Sequence, residues 1–155
     1  MLELKVLFGE QRRLDRRRLQ DAVREAGFEL TLEGELPDGP DASVFVPCTF
    51  EGLASGFDCV VARFDVREWS LMPGDAARVA IFDSVVTLTT YPNAQEIAGS
   101  VTAAAAHAAA ADGVILDAYF ERRIVEAGEA LEWARRWLPE IRGQFDGPSR
   151  VRTRG

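Results

Sequence analysis

The sequence has little of the chemistry on which metal sites and nucleophilic enzymes depend. Its 155 residues include one histidine, His107, and two cysteines, Cys48 and Cys59. A zinc site takes about four Cys, His or carboxylate ligands, and a Ser–His–Asp set would have to use His107, which lies in an alanine-rich stretch. The phosphate-binding loops GxGxxG and GxxxxGK[ST] are missing as well. The sequence therefore predicts no metal, no cofactor and no catalytic residue.

Long apolar runs and a secretion signal are also missing. The N-terminal stretch Met1–Phe8 alternates apolar and polar residues, and its apolar run is too short for a signal-peptide core. The alanine-rich run 97–111 is shorter than the ~18 apolar residues that a membrane-spanning helix needs. Two cysteines form no disulfide framework. We therefore expect a cytoplasmic protein that does not contact a membrane.

Basic residues are scarce in the middle of the chain. Residues 25–121 hold sixteen acidic residues and three arginines, a net charge of −13, whereas 1–24 and 122–155 each carry +3. A negative field repels nucleic acid and attracts cationic partners. The charge pattern thus predicts a protein partner and no nucleic acid, although acidity also serves solubility.

Alternation and helical periodicity predict an α+β fold with a mostly antiparallel sheet and helices packed on one face. We predict one domain over residues 1–146 and a polar C-terminal tail over 147–155. The predicted helices begin at the caps Asp15 and Asn93 and at residues 73 and 128, and Pro139 should kink or end the last one. The predicted strands cover 2–8, 28–36, 44–50, 57–64, 84–90, 114–120 and 124–125.

Two enzyme alternatives stay open at this point. Cys48 and Cys59 lie on the two arms of the predicted hairpin, and a turn near residues 53 and 54 would place them opposite each other. A carboxylate-dependent hydrolase could instead use acidic side chains that converge in the fold, the candidates being Asp58, Asp65, Asp83, Asp117 and Glu121. A third class, an adaptor or chaperone for a secreted effector, would need neither reactive cysteines nor converging carboxylates.

Two stretches resemble small bacterial immunity-type proteins, which are encoded beside polymorphic or secreted toxins. The first is VPCTFEGLASGFD at 46–58, and the second runs from SVVTLTT at 84 through EIAGSVTAAAAHAAAADG to EALEWAR, which ends at 135. The segment LDAY at 116–119 departs from the family's hydrophobic-Asp-Pro-Gln pattern. The resemblance implies an α+β protein that binds and neutralises a cognate toxin, and it carries over no catalytic residue.

Two clusters of aromatic and acidic residues are the candidate partner-binding sites. Interface centres favour Trp and Tyr, and charged rims set the association rate. The clusters are Asp65, Glu68 and Trp69, and Asp117, Tyr119 and Glu121. The alternative is that both aromatic residues cover the edge of the core.

Overall fold

A computed structural model describes residues 1–144, so the tail predicted at 147–155 lies outside the described residues. Within 1–144 the chain forms one seven-stranded antiparallel sheet with strand order β2-β3-β4-β5-β1-β6-β7. The strands are β1 Leu2–Phe8, β2 Leu30–Leu32, β3 Ala42–Phe50, β4 Leu53–Arg63, β5 Ser84–Thr90, β6 Val114–Asp117 and β7 Arg123–Glu126. The helices are α1 Arg16–Glu25, α2 Pro73–Val79, α3 Ala94–Ala111 and α4 Ala130–Gln144. The predicted α+β class with an antiparallel sheet is confirmed.

Side-chain caps fix the starts of the two helices that the sequence predicts best. The Asp15 carboxylate accepts a hydrogen bond from the backbone N–H of Arg18 at 2.8 Å, and the Asn93 side chain accepts one from that of Glu96 at 2.9 Å. Each cap satisfies a backbone donor that the first turn of a helix leaves without an intrahelical partner. Both helices therefore begin directly after the predicted capping residue.

The alternation of side chains along the strands divides the interior into two unequal layers. Leu4, Val6 and Phe8 of β1 join the large cluster that packs beneath α1, α3 and α4. Leu7 points the opposite way, into a smaller cluster with Phe64, Val79, Val85, Val114 and Ile124. We call this second side of the sheet the open face, because among the described residues only the segment 64–82, with α2, covers part of it. The short helix α2 thus lies across the sheet from the three longer helices.

The β3–β4 hairpin turns two residues earlier than predicted. Glu51 and Gly52 form its two-residue turn with φ angles of 50° and 82°, which suit a type I′ hairpin. Cys48 is consequently paired with Ser55, and Cys59 with Val44. The prediction that the two cysteines lie opposite each other is wrong, because the Glu-Gly pair supplies the tighter turn.

Several further boundaries also differ from prediction. β2 covers Leu30–Leu32 rather than 28–36, and β6 ends at Asp117 rather than at residue 120. Helix α4 continues through Pro139 to Gln144. A proline removes one helical hydrogen bond, but the fully buried Ile141 holds the following turn against the core, so the helix does not end there.

Candidate functional site

The open face carries a groove of about 460 Å³ between α2 and the β6–β7 turn. Its floor is a cross-strand row in which Lys5 of β1 is paired with Leu116 of β6, and Leu116 with Ile124 of β7. The remaining lining residues come from the neighbouring strand positions, from the segment before and within α2, and from the β6–β7 turn: Glu3, Trp69, Leu71, Asp75, Asp117, Ala118, Arg122 and Arg123. The sheet therefore brings one member of each predicted cluster, Trp69 and Asp117, to the same groove.

Trp69 is partly buried and held by its neighbours. Its ring meets that of Phe64 edge to face with 5.1 Å between centroids, and the Lys5 ammonium lies 5.8 Å from its centroid. The edge-to-face contact and the cation over the ring both hold the indole in place, and the indole still lines the groove. Trp69 is thus a rigid aromatic surface at the groove, and it also covers the edge of the smaller core.

Asp117 has a structural role inside the chain. Its side chain is 2 % exposed, and its carboxylate accepts hydrogen bonds from the backbone N–H groups of Tyr119, Phe120 and Glu121 at 2.7–3.0 Å. A fourth bond comes from the indole N–H of Trp133 at 2.9 Å. These four donors compensate a buried charge. Asp117 therefore fixes the β6–β7 turn and does not present its carboxylate to a partner.

Glu121 is likewise engaged within the chain. It accepts a hydrogen bond from the Trp137 indole at 2.5 Å and one from Arg123 at 2.8 Å, and the Arg136 guanidinium lies 3.5 Å away. Burial acts to raise the pKa of Glu121, but the bonds from Trp137 and Arg123 outweigh it and lower the pKa below its usual range. Tyr119, by contrast, is 48 % exposed on the turn that these two carboxylates hold.

The first predicted cluster lies at the surface beside the groove. Asp65 caps a 3-10 turn at 66–68 and pairs with Arg67 at 2.7 Å. The side-chain and backbone hydrogen bonds from Arg67 lower the pKa of Asp65 to about 2. Glu68 is exposed. Neither lines the groove, so these two carboxylates belong to its acidic surroundings.

An apolar stripe lies on α2, the helix that contributes Asp75 to the groove. Pro73, Ala77 and Ala80 follow one side of the helix and are exposed, and the flanking Met72 and Ile81 are 73 % and 82 % exposed. The helix buries Val79 against the sheet on its other side. We call Met72, Pro73, Ala77, Ala80 and Ile81 the α2 patch. Exposed apolar residues grouped on one element mark binding sites more often than isolated apolar residues do.

The cysteines are placed for packing and not for chemistry. Both are buried free thiols on the helix side of the sheet, and desolvation raises the pKa of each to about 12. A thiol with such a pKa stays protonated near neutral pH and is a poor nucleophile. Across residues 1–144 no group of three or more His, Cys, Asp or Glu side chains is arranged to hold a metal ion.

Two groove residues carry no signal that sequence reasoning used. Lys5 is the sole lysine of the chain, and Arg122 lies beside Arg123 in a run of charges. Their common location depends on β1 lying between β5 and β6, which is a long-range pairing. The position of β1 between hydrophobic strands was not predictable from local pattern.

No helix in the described part of the chain is long and apolar enough to cross a membrane. Comparisons of the chain with protein-family models, with curated proteins and with solved structures found no match.

Proposed function

We propose that the chain is an immunity-type, protein-binding domain that neutralises a cognate bacterial toxin in the cytoplasm by docking through its open face. The observation that carries the proposal is the α2 patch beside a preformed groove that contains Trp69. Interfaces have an apolar, aromatic centre surrounded by a charged rim. The α2 patch and Trp69 would supply the centre, and the surrounding carboxylates the rim.

One exposed carboxylate near the groove is available to a cationic partner. Arginines neutralise other acidic residues of the middle segment on both sides of the sheet: Arg16 pairs with Glu35 at 3.2 Å, and Arg67 pairs with Asp65 at 2.7 Å. Near the groove Glu68 is exposed and has no ion pair among the described residues. This carboxylate, together with the net charge of −13 over residues 25–121, would accelerate encounter with a basic, nucleic-acid-active toxin.

The enzyme alternatives find less support in the same geometry. Protonated, buried thiols do not suit a cysteine nucleophile, and Asp117 and Glu121 are saturated by donors from the chain itself. A general acid needs a raised carboxyl pKa, whereas Arg67 holds that of Asp65 well below its usual range. The geometry of Asp65, Asp117 and Glu121 therefore favours roles in structure and steering.

The test is binding to the toxin domain encoded by the adjacent reading frame, with a double variant of the α2 patch. Met72→Glu/Ile81→Glu should weaken the dissociation constant at least about tenfold and reduce toxin inhibition in parallel, since each change puts a charge into the apolar centre. Both side chains are already exposed, so the melting temperature should stay within about 2 °C of wild type.

The matched control is Leu53→Glu/Tyr91→Glu, which makes the same two charge changes at exposed apolar residues outside the α2 patch. Wild-type affinity is expected for this variant. Equal losses in the two double variants, or no complex between the wild-type chain and the toxin, would contradict the proposal.

A further inference from the structure

Arg122 adopts a backbone conformation that its side chain makes costly. Its φ is 56°, in the left-handed region that long side chains seldom occupy. The backbone N–H groups preceding it are pinned by the Asp117 carboxylate, so the turn holds Arg122 in this conformation. Glycine would fit there without the steric cost. Stability alone therefore gives no reason for an arginine at this position.

The other charges of the groove are matched within the chain. Lys5 pairs with Glu3 at 3.2 Å, Asp75 with Arg78 at 3.7 Å, and Arg123 with Glu121 and Glu129 at 2.8 and 2.6 Å. The buried carboxylate of Asp117 is satisfied by the turn. Arg122 is exposed, lines the groove and has no acidic partner among residues 1–144. Arg122 is thus a cation of the groove without an ion-pair partner among residues 1–144.

This cation stands next to an apolar surface. Trp69, Leu71, Leu116 and Ile124 line the same groove. We infer that the groove receives a segment of the partner protein in which an apolar side chain is followed by a carboxylate: the apolar side chain packs against Trp69 and Leu116, and the carboxylate pairs with Arg122. The inference rests on the proposed function, since it names the chemistry of the partner at that site. An arginine fork matches a carboxylate with two parallel hydrogen bonds.

The test uses the blocked peptide acetyl-Gly-Phe-Asp-Gly-amide at up to 10 mM on the full-length, ¹⁵N-labelled chain. The indole N–H of Trp69 and the Nε–H of Arg122 should shift saturably. Two further peptides, with Asn in place of Asp and with Ala in place of Phe, should each bind at least about fivefold more weakly. Inorganic phosphate should shift Arg122 without shifting Trp69.

Two variants separate recognition from structure. Arg122→Gly should melt at or above the wild-type temperature because it relieves the left-handed strain, and yet it should lose the peptide response. Arg24→Gln, which removes an exposed arginine from α1, should keep the response.

No shift at Trp69 and Arg122 at 10 mM, equal binding of the Asn peptide, or a lower melting temperature of Arg122→Gly would each overturn the inference. Phosphate shifts at both residues equal to those of the peptide would also overturn it, in favour of a simple anion site. If the α2-patch variant loses the toxin while the peptide has no effect, only this inference fails. If the peptide binds and the toxin does not, the proposed function fails instead.

Discussion

At the scale of one residue, the surroundings of His107 show why it does not suit acid–base catalysis. Its ring packs against Phe8 with 5.0 Å between centroids, and its Nδ1 has no hydrogen-bond partner among the described atoms. Burial lowers the pKa of His107 to about 4. Arg13 and Cys59 line the same small cavity, and burial raises the pKa of the Cys59 thiol to about 12. The lone histidine is therefore a neutral core side chain.

The lowered pKa of His107 predicts a specific pH dependence of stability. The unfolded chain takes up a proton below about pH 6.5 while the folded chain does so only near pH 4, so the stabilisation is complete above 6.5 and is lost as the pH falls from 6.5 to 4. The wild type should lose about 3 kcal/mol more than His107→Leu across this interval. Urea unfolding of both proteins at pH 7, 5.5 and 4 measures the difference, and parallel pH curves would refute the assignment.

The secondary-structure elements show which parts of the fold local sequence determines. β1, β5 and α3 match their predicted bounds, because in each the local sequence fits only one type of element. β1 alternates apolar and polar residues, β5 is a run of Val and Thr, and α3 is an alanine-rich run with a capping residue. β2 and β6 are shorter than predicted: their apolar residues continue beyond the last paired residue, and only the partner strand determines where pairing stops. Pairing lengths are therefore tertiary information.

The junction between α3 and β6 depends on one glycine. A Cβ on Gly113 would overlap the carbonyl oxygen of Leu7 in β1, a backbone atom that cannot move away. Gly113→Ala should therefore lower the free energy of unfolding by at least about 1–3 kcal/mol. Gly128→Ala is the matched control, since a Cβ there meets no atom within 4 Å and the residue lies in the 3-10 turn 127–129 that precedes α4. Chemical denaturation should show little or no loss for it; similar losses in both variants would be inconsistent with the packing described.

At the scale of the whole molecule, the sequence predicted the ingredients of the candidate site better than their arrangement. Acidic neighbours predict Trp69 and Tyr119 as partner-binding residues. Trp69 lies on the segment before α2 and Tyr119 on the β6–β7 turn, the two segments that border the groove. In sequence, Asp117 and Glu121 are indistinguishable from carboxylates of an interface rim. In the fold both side chains point inward and hold the β6–β7 turn. Arg122 and the α2 patch could not be found in advance, because their exposure follows from strand order and from which side of α2 packs on the sheet.

The most direct test of the open face as the docking surface is hydrogen–deuterium exchange of the chain with and without the toxin domain that the proposed function assigns to the adjacent reading frame. Exchange reports opening and burial segment by segment. We expect the toxin to slow exchange in residues 65–82 and 118–122, and to leave α1 and the solvent side of α4 unchanged. Protection confined to α1 and α4, with no change in 65–82, would contradict the account.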